Sequence, residues 1–497
     1  MQRATSTDRR WLVVILALAA GLRLWHLNAP LWHDEIDTLV SHVRLGWGEM
    51  LQSYSMNHHY LHSIAAKISV TMFGEAPWAV RLPAMLFGLA TIWASWVLAR
   101  EIAGTAIAHV TALLLALSYH EIWFSQNARG YTGLAFFSAL GLLMFLRGMN
   151  APDRRTWLLF ALCLAGAVFT HLTGAFFFVA LGLVWLAVAA ARAARGTLAA
   201  PVVRLPFLGF LTGGLIAALL YLPVLPSLLH TVSAVSDTSA VDLMKEYQNP
   251  VWTAFEAIRT GIGDAGVLVP AVGAAVLTLC ILGAVSLRSA APLFAPSVAL
   301  HILLTTVLLM AVGMRIWPRF YFVDIGLLMI LIVAGVRLSC TILGRIAGGE
   351  QVTRALWVIG VVLMALISAW LAKRNYDFPK QDLAGAYAFV EAERKPGDRA
   401  IALGYAGRNF AYYGADWPVV YTDEEYRAAL AAPGTVFVVA GFPERVFRDI
   451  PRFAADIGLG DGSDVCDPGR PAATVLKVAR CFGGTLGDGN VLVFRRD

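Results

Sequence analysis

Charge is what this chain has least of. Only 14% of its 497 residues are Asp, Glu, Lys or Arg, against about a quarter in soluble domains. With 58% hydrophobic residues and a mean hydropathy of +0.66, that scarcity excludes an ordinary soluble protein. The charge that is present is weakly basic, +6 formally. It falls between hydrophobic runs rather than on one face, which excludes nucleic acid as a partner and matches the pattern that orients membrane helices. No internal repeat and no low-complexity tract is visible, and neither are the inverted repeats common in transporters. Cysteine is scarce, five in all. Cys163, Cys280 and Cys340 fall in or near apolar runs and read as small buried residues.

What is there is a series of apolar runs long enough to cross ~30 Å of hydrocarbon. Eleven spans are expected: 11–27, 79–99, 105–120, 131–149, 157–173, 174–192, 207–229, 266–287, 293–313, 319–338 and 355–372. With the N-terminus inside, fourteen arginines face the cytoplasm (3, 9, 10, 100, 147, 154, 155, 192, 195, 204, 288, 337, 345 and 354). Eight cations face outward (Arg44, Lys67, Arg81, Arg129, Lys245, Arg259, Arg315 and Arg319). The bias orients the N-terminus to the cytoplasm, and an odd number of spans places the C-terminus outside. Arg23, Trp25 and His26 interrupt any small-residue cleavage site, so the first span is expected to be uncleaved.

The expected organisation is an all-α polytopic membrane domain, residues 1–372, with a long outer loop over 28–78, then a small α/β domain over 373–497. In the loop, Leu61 to Phe73 reads as an amphipathic surface helix. A second outer loop over 230–265 carries Asp237, Asp242, Glu246, Glu256 and Asp264, and 339–354 reads as a connector. Beyond Lys373 the apolar runs shorten to strand length. Arg399–Leu403, Pro418–Tyr421, Thr435–Ala440, Ala473–Val478 and Val491–Phe494 read as strands, alternating with helices over Gln381–Arg394, Asp423–Ala431 and Pro443–Ile457. Cys466 and Cys481 are candidates for a disulfide if this domain faces an oxidising compartment.

Four clusters carry chemistry. Trp32-His33-Asp34-Glu35 follows the first span. Acids beside a bilayer are costly and mark sites. Such a pair serves as a general base, as metal ligands or as a helix cap. Asn57-His58-His59-Tyr60-Leu61-His62 places His58 and His62 on one helical face, a metal pair or an interfacial loop of amphipathic rings. Ser125-Gln126-Asn127-Ala128-Arg129-Gly130-Tyr131 holds one arginine among hydrogen-bonding residues. Its planar fork suits phosphate; the alternative is a partner for Glu121 or a snorkelling anchor. Arg315-Ile316-Trp317-Pro318-Arg319-Phe320-Tyr321 flanks a turn with two arginines, and Arg81 precedes Leu82-Pro83. Together they suit a reaction in which arginines hold a lipid phosphate while an acid deprotonates an acceptor.

At these residues the first ~340 positions resemble the GT-C glycosyltransferases, specifically the protein-mannosyltransferase and aminoarabinose-transferase-like group. The family's acidic pair looks like Asp34-Glu35, and its Asn-His-Pro-Pro stretch looks like Asn57-His58-His59-Tyr60 without either proline. Its Leu-Arg-Leu-Pro looks like Val80-Arg81-Leu82-Pro83, its Ser-Gln-x-x-Arg-x-Tyr turn matches Ser125, Gln126, Arg129 and Tyr131, and its late Arg-Tyr is approximated by Arg319-Phe320-Tyr321. The resemblance implies an integral-membrane inverting glycosyltransferase, hexosyl- or pentosyl-transferring, with a polyprenyl-phosphate sugar as co-substrate. The acceptor would be a lipid, glycan or protein hydroxyl at the periplasmic or outer side of the cell envelope. Asp34 would be the base, with Glu35 assisting it or orienting the loop. Arg129, Arg319 and Arg81 would contact the donor phosphate; His58, Gln126 and Tyr131 would contact substrate. A divalent metal, with His58 and His62 as candidates, stays open. The rival from another class is a transporter or flippase of lipid-linked sugars, which requires charge deep in the spans.

Overall fold

In a computed structural model the chain is described over residues 5–55, 57–236, 245–262, 268–458, 465–466, 475–486 and 488–496. It forms two compact units. One comprises Met1–Leu27 and Val43–Arg374; the other joins Asn28–His42 to Asn375–Asp497. The first unit ends at Arg374, and the loop over 28–78 is divided between the two units. Its first part belongs with the C-terminal unit.

The membrane unit is helical throughout. Among the described residues eight helices are long and apolar enough to cross a membrane, or nine if the bent pair Thr105–Ala116 and Tyr119–Ser125, angled by 59°, is one span. The other two expected spans are helices of a different kind. Ser6–Leu24 carries Asp8, Arg9, Arg10 and Arg23, and Arg154–Thr170 has 17 residues. Each starts on a side-chain cap: Thr5 accepts from the Asp8 amide and Asp153 from the Thr156 amide. The amphipathic segment is the helix Tyr60–Phe73. The connector expected over 339–354 shrinks to Gly348-Gly349 between the helices Asp324–Ala347 and Glu350–Ala372. Both glycines have positive φ, which reverses the chain at low cost. The helices Val269–Leu287 and Asp324–Ala347 approach so closely that a Cβ on Gly283 would lie 2.0 Å from the Leu331 carbonyl oxygen, the small-residue contact typical of membrane helices. The second loop holds helices Leu225–Ser236 and Pro250–Ile262. Asp237, Asp242 and Asp264 lie outside the described residues. Glu256 pairs with Arg259 at 2.7 Å.

The second unit is a five-stranded mixed sheet. Its strands are β1 (Arg399–Leu403), β2 (Val419–Val420), β3 (Val436–Gly441), β4 (Lys477–Phe482) and β5 (Val491–Arg496), in the order β2-β1-β3-β5-β4. The β1–β2 and β1–β3 pairs are parallel; β5 is antiparallel to both β3 and β4. β3 is buried along its whole length, as a central strand covered on both faces must be. The fourth strand lies at 477–482 rather than 473–478. It is an edge whose Lys477 and Arg480 break the apolar pattern, and a bulge between Val478 and Arg480 shifts its register. The expected helix over 443–457 is two, Pro443–Asp449 and Pro451–Asp456, because Pro451 cannot supply an amide to continue the first. Cys466 and Cys481 form a disulfide.

Candidate functional site

The membrane unit buries an arginine–histidine cluster. The turn before the helix Tyr131–Asn150 carries Arg129, 4% exposed. Its Nε donates to His59 Nε2 at 3.0 Å, so that nitrogen carries a lone pair and His59 is neutral. The cation also lies over the Tyr131 ring, 5.6 Å from its centroid. His59 meets Tyr131 edge-on at 5.0 Å and His171 at 4.7 Å. His171 sits in the short hairpin between the helices Arg154–Thr170 and Gly174–Ala194. Burial, then the charges of Arg129 and Arg319, pull it down to about 3. Burial and Arg129 likewise hold His59 well below the usual histidine range. The cluster therefore carries positive charge on its arginines alone at neutral pH.

Arg319, on the turn Pro318–Tyr321, completes this neighbourhood. Its guanidinium lies over the Trp317 ring at 5.0 Å, and Trp317 leans on Tyr247 at 4.4 Å. Phe320, its neighbour in sequence, faces His171 at 6.2 Å. Arg319 Nε is buried with no hydrogen-bond partner among the described residues. A buried donor without a partner costs free energy that an anion would recover.

The other candidates fare differently. Arg81, 2% exposed, donates from Nη1 to the Leu27 carbonyl at 2.9 Å and so ties down the end of the first helical segment. The Gln126 amide nitrogen donates to the carbonyls of Arg23, at 3.0 Å, and Trp25. It thereby serves as a clamp on orphan carbonyls at a helix end. Arg23, fully buried, donates to Ser125 Oγ at 3.0 Å and to the carbonyls of Leu115 and Ala116, bracing the bend of the broken helix pair. His58 is buried, with Nδ1 3.1 Å from the Ser53 carbonyl and its ring 3.9 Å from that of Tyr60. His62 is buried as well. Among the described residues no three His, Cys, Asp or Glu side chains are grouped to hold a metal ion.

The acid pair lies in the second unit, on the one-and-a-half-turn helix His33–Thr38. Its members divide. Glu35 is fully buried and accepts the Trp32 amide at 3.3 Å, a cap. Asp34 is half-buried, and its carbonyl accepts from Thr38 Oγ1 at 2.8 Å. Asp37 takes Arg408 Nη2 at 3.0 Å and Ser41 Oγ at 2.9 Å. Burial pulls His33 down to about 4, against the charges of Asp34 and Asp37. Asp34 is thus the more exposed acid of the pair, and Glu35 caps the turn that carries it.

Sequence reading missed His171 and the partners of the acid segment in the last third of the chain. In the sequence His171 falls at the end of the expected span 157–173, directly before the one over 174–192. A histidine held between two apolar helices is a weak signal until its partners are known.

Known proteins resemble this chain in part of its sequence and in its fold. The sequence profile of dolichyl-phosphate-mannose-protein mannosyltransferases matches residues 57–226, a stretch that holds His58, Arg81, Gln126, Arg129 and Tyr131 but not Asp34, Glu35 or Arg319. No curated protein matches the sequence. The structure is similar to that of ArnT from Cupriavidus metallidurans bound to undecaprenyl phosphate, at 14% identity and a TM-score of 0.52, covering 99% of this chain and 98% of that one. It is also similar to the oligosaccharyltransferase AglB of Archaeoglobus fulgidus in complex with an inhibitory peptide and a dolichol-phosphate, at 11% identity and a TM-score of 0.51, covering 89% and 70%. The same oligosaccharyltransferase with zinc and sulfate matches at 14% identity and 0.54, covering 91% and 70%. The chain has the GT-C fold in an all-helical membrane unit, followed by an α/β unit.

Proposed function

We propose that this protein is an integral-membrane glycosyltransferase that moves a sugar from a polyprenyl phosphate to a hydroxyl of a lipid, glycan or protein acceptor outside the cytoplasm. The observation that carries the reading is a fold shared over nearly the whole chain with a protein whose structure holds undecaprenyl phosphate. The buried Arg129 cluster and the unpartnered Arg319 Nε supply the matching chemistry, since both suit a phosphate.

In this reading Asp34 takes the proton of the acceptor hydroxyl. The acceptor oxygen forms its bond to the anomeric carbon from the face opposite the phosphate, the carbon–oxygen bond to the phosphate breaks, and that electron pair stays on the phosphate oxygen. Arg129 and Arg319 stabilise the charge that develops there. Glu35 holds the Asp34 turn. Arg81, Gln126, His58 and Tyr131 shape the walls. The C-terminal unit lies on the non-cytoplasmic side, where its disulfide persists.

The test uses the purified full-length protein in liposomes with radiolabelled polyprenyl-phosphate sugars and a membrane extract, with and without EDTA. The expected result is transfer from one donor, lost in Asp34→Asn with donor binding kept. Donor bound but translocated without transfer would replace this reading with a transporter; no donor bound would overturn it.

A further inference from the structure

We propose that the α/β unit is the positioning frame of the acid segment, and that Asn409 is the positioning residue through which it aims Asp34. The first part rests on geometry alone; the consequence for catalysis rests on the function proposed above.

The segment Asn28–His42 groups with this unit. The helix His33–Thr38 within it has six residues, too few to hold a fixed direction by its own hydrogen bonds. Its direction must come from what surrounds it.

Those surroundings lie at the carboxyl ends of the parallel neighbours β1 and β3, the edge where open α/β sheets bind ligands. After β1 the chain turns at Gly404, φ +66°, into Tyr405 and the turn of 3-10 helix Gly407–Tyr413. After β3 it passes Phe442 at φ +55°, a left-handed conformation that a bulky residue adopts only when its surroundings fix it. The two loops enclose His33. Its ring lies 4.6 Å from that of Tyr405 and 5.0 Å, edge to face, from that of Phe442.

The polar groups of His33 are then held one by one. Asn409 Nδ2 donates to His33 Nδ1 at 2.6 Å and to the His33 carbonyl at 3.2 Å. The His33 amide donates to Gln381 Oε1 at 3.4 Å. Tyr413 donates from its hydroxyl to the Leu31 carbonyl, and Arg408 pairs with Asp37 at 3.0 Å. Asn409 and His33 are both almost fully buried, at 4% and 3% exposure. The residue after His33 is Asp34. A crevice that related architectures leave for a ligand is filled here by the chain's own segment, and Asn409 fixes the ring and the backbone of the residue that precedes the acid.

The experiment is amide hydrogen exchange over residues 33–38 in the full-length protein in detergent, with Asn409→Ala and Arg408→Ala beside wild type. Asn409→Ala is expected to speed exchange there at least tenfold with helices of the membrane unit unchanged, and Arg408→Ala, which frees only the Asp37 end, to speed it less. Unchanged exchange in both variants would overturn the frame whatever the protein catalyses. The kinetic arm expects Asn409→Ala to lower kcat at least tenfold with the donor KM within twofold of wild type. Added to Asp34→Asn, Asn409→Ala should cost nothing further. If the two losses instead multiply, Asn409 does not act through Asp34. If wild type transfers no sugar from any donor, the catalytic assignment fails while the exchange result still stands or falls by itself.

Discussion

Replacing Gly130 with alanine perturbs the arginine cluster without altering a charge. Gly130 lies at φ −81°, so alanine meets no backbone strain. The added Cβ would lie 2.8 Å from Thr170 Cγ2 and 3.0 Å from His59 Nδ1. The Thr170 methyl has little freedom to turn aside, because Thr170 Oγ1 donates to the Gly166 carbonyl at 2.7 Å and a β-branched side chain is stiff at χ1. The movable neighbour is His59, and moving it disturbs the 3.0 Å bond from Arg129. Overpacking of this kind costs about 1–3 kcal/mol, which at 1.4 kcal/mol per factor of ten is roughly 5–150-fold if it falls on donor affinity. Equilibrium binding of a labelled polyprenyl-phosphate sugar, with thermal unfolding in parallel, measures it. Gly133→Ala is the control: its Cβ meets Thr170 Cγ2 at 3.3 Å and Phe87 at 3.4 Å, so its effect should be several-fold smaller. Thr170→Ser, which keeps the hydroxyl and removes the methyl, should restore part of the loss. Folded Gly130→Ala that binds donor within twofold of wild type would refute the link between the His59–Arg129 contact and the donor.

Asp34→Asn should lower kcat by about 10²–10⁴, the usual worth of a general base, with donor affinity kept; turnover near the wild-type rate would remove Asp34 from the reaction. Asp488 is raised by burial from 3.8 to about 7. The folded state then keeps a proton that the unfolded state has shed, so stability falls as pH rises from about 4 to 7, by on the order of 4 kcal/mol. Asp488→Asn, which keeps an acceptor for the Glu444 amide, should therefore raise Tm more at pH 8 than at pH 4.5, and a gain independent of pH would contradict the assignment. Cys466→Ser opens a bridge between residues 15 apart and should cost the α/β unit about 3 kcal/mol, a loss that a reductant reproduces in wild type; an unmoved unfolding transition would show that the bridge carries no stability.

Periodicity and length made the helices legible: every expected span falls on a helix, and Asp423–Ala431 matches to the residue. Local chemistry singled out Arg129, Arg319 and Arg81 as candidates for a donor phosphate. The convergence of Arg129 and Arg319 on His171 was not legible, because it depends on how three helix ends pack. Nor was the division of the acid pair, since only burial distinguishes capping Glu35 from half-buried Asp34. Gln126 and Arg81 carried the right functional groups for a substrate, yet both donate to backbone carbonyls near a chain turn. A donor's partner is a property of the fold and not of its sequence neighbours. The missed break at Pro451 was legible in principle, as proline cannot continue a helix.

The membership of Asn28–His42 in the C-terminal unit bears on inheritance and on engineering. Positions 31, 33 and 37 contact positions 413, 409 and 408, so they form one block although nearly the whole membrane unit is written between them. A chimera that exchanges everything beyond Arg374 for the tail of another protein inherits half of that block. To remain whole it must carry the early segment along with the late one, as a single cassette in two pieces.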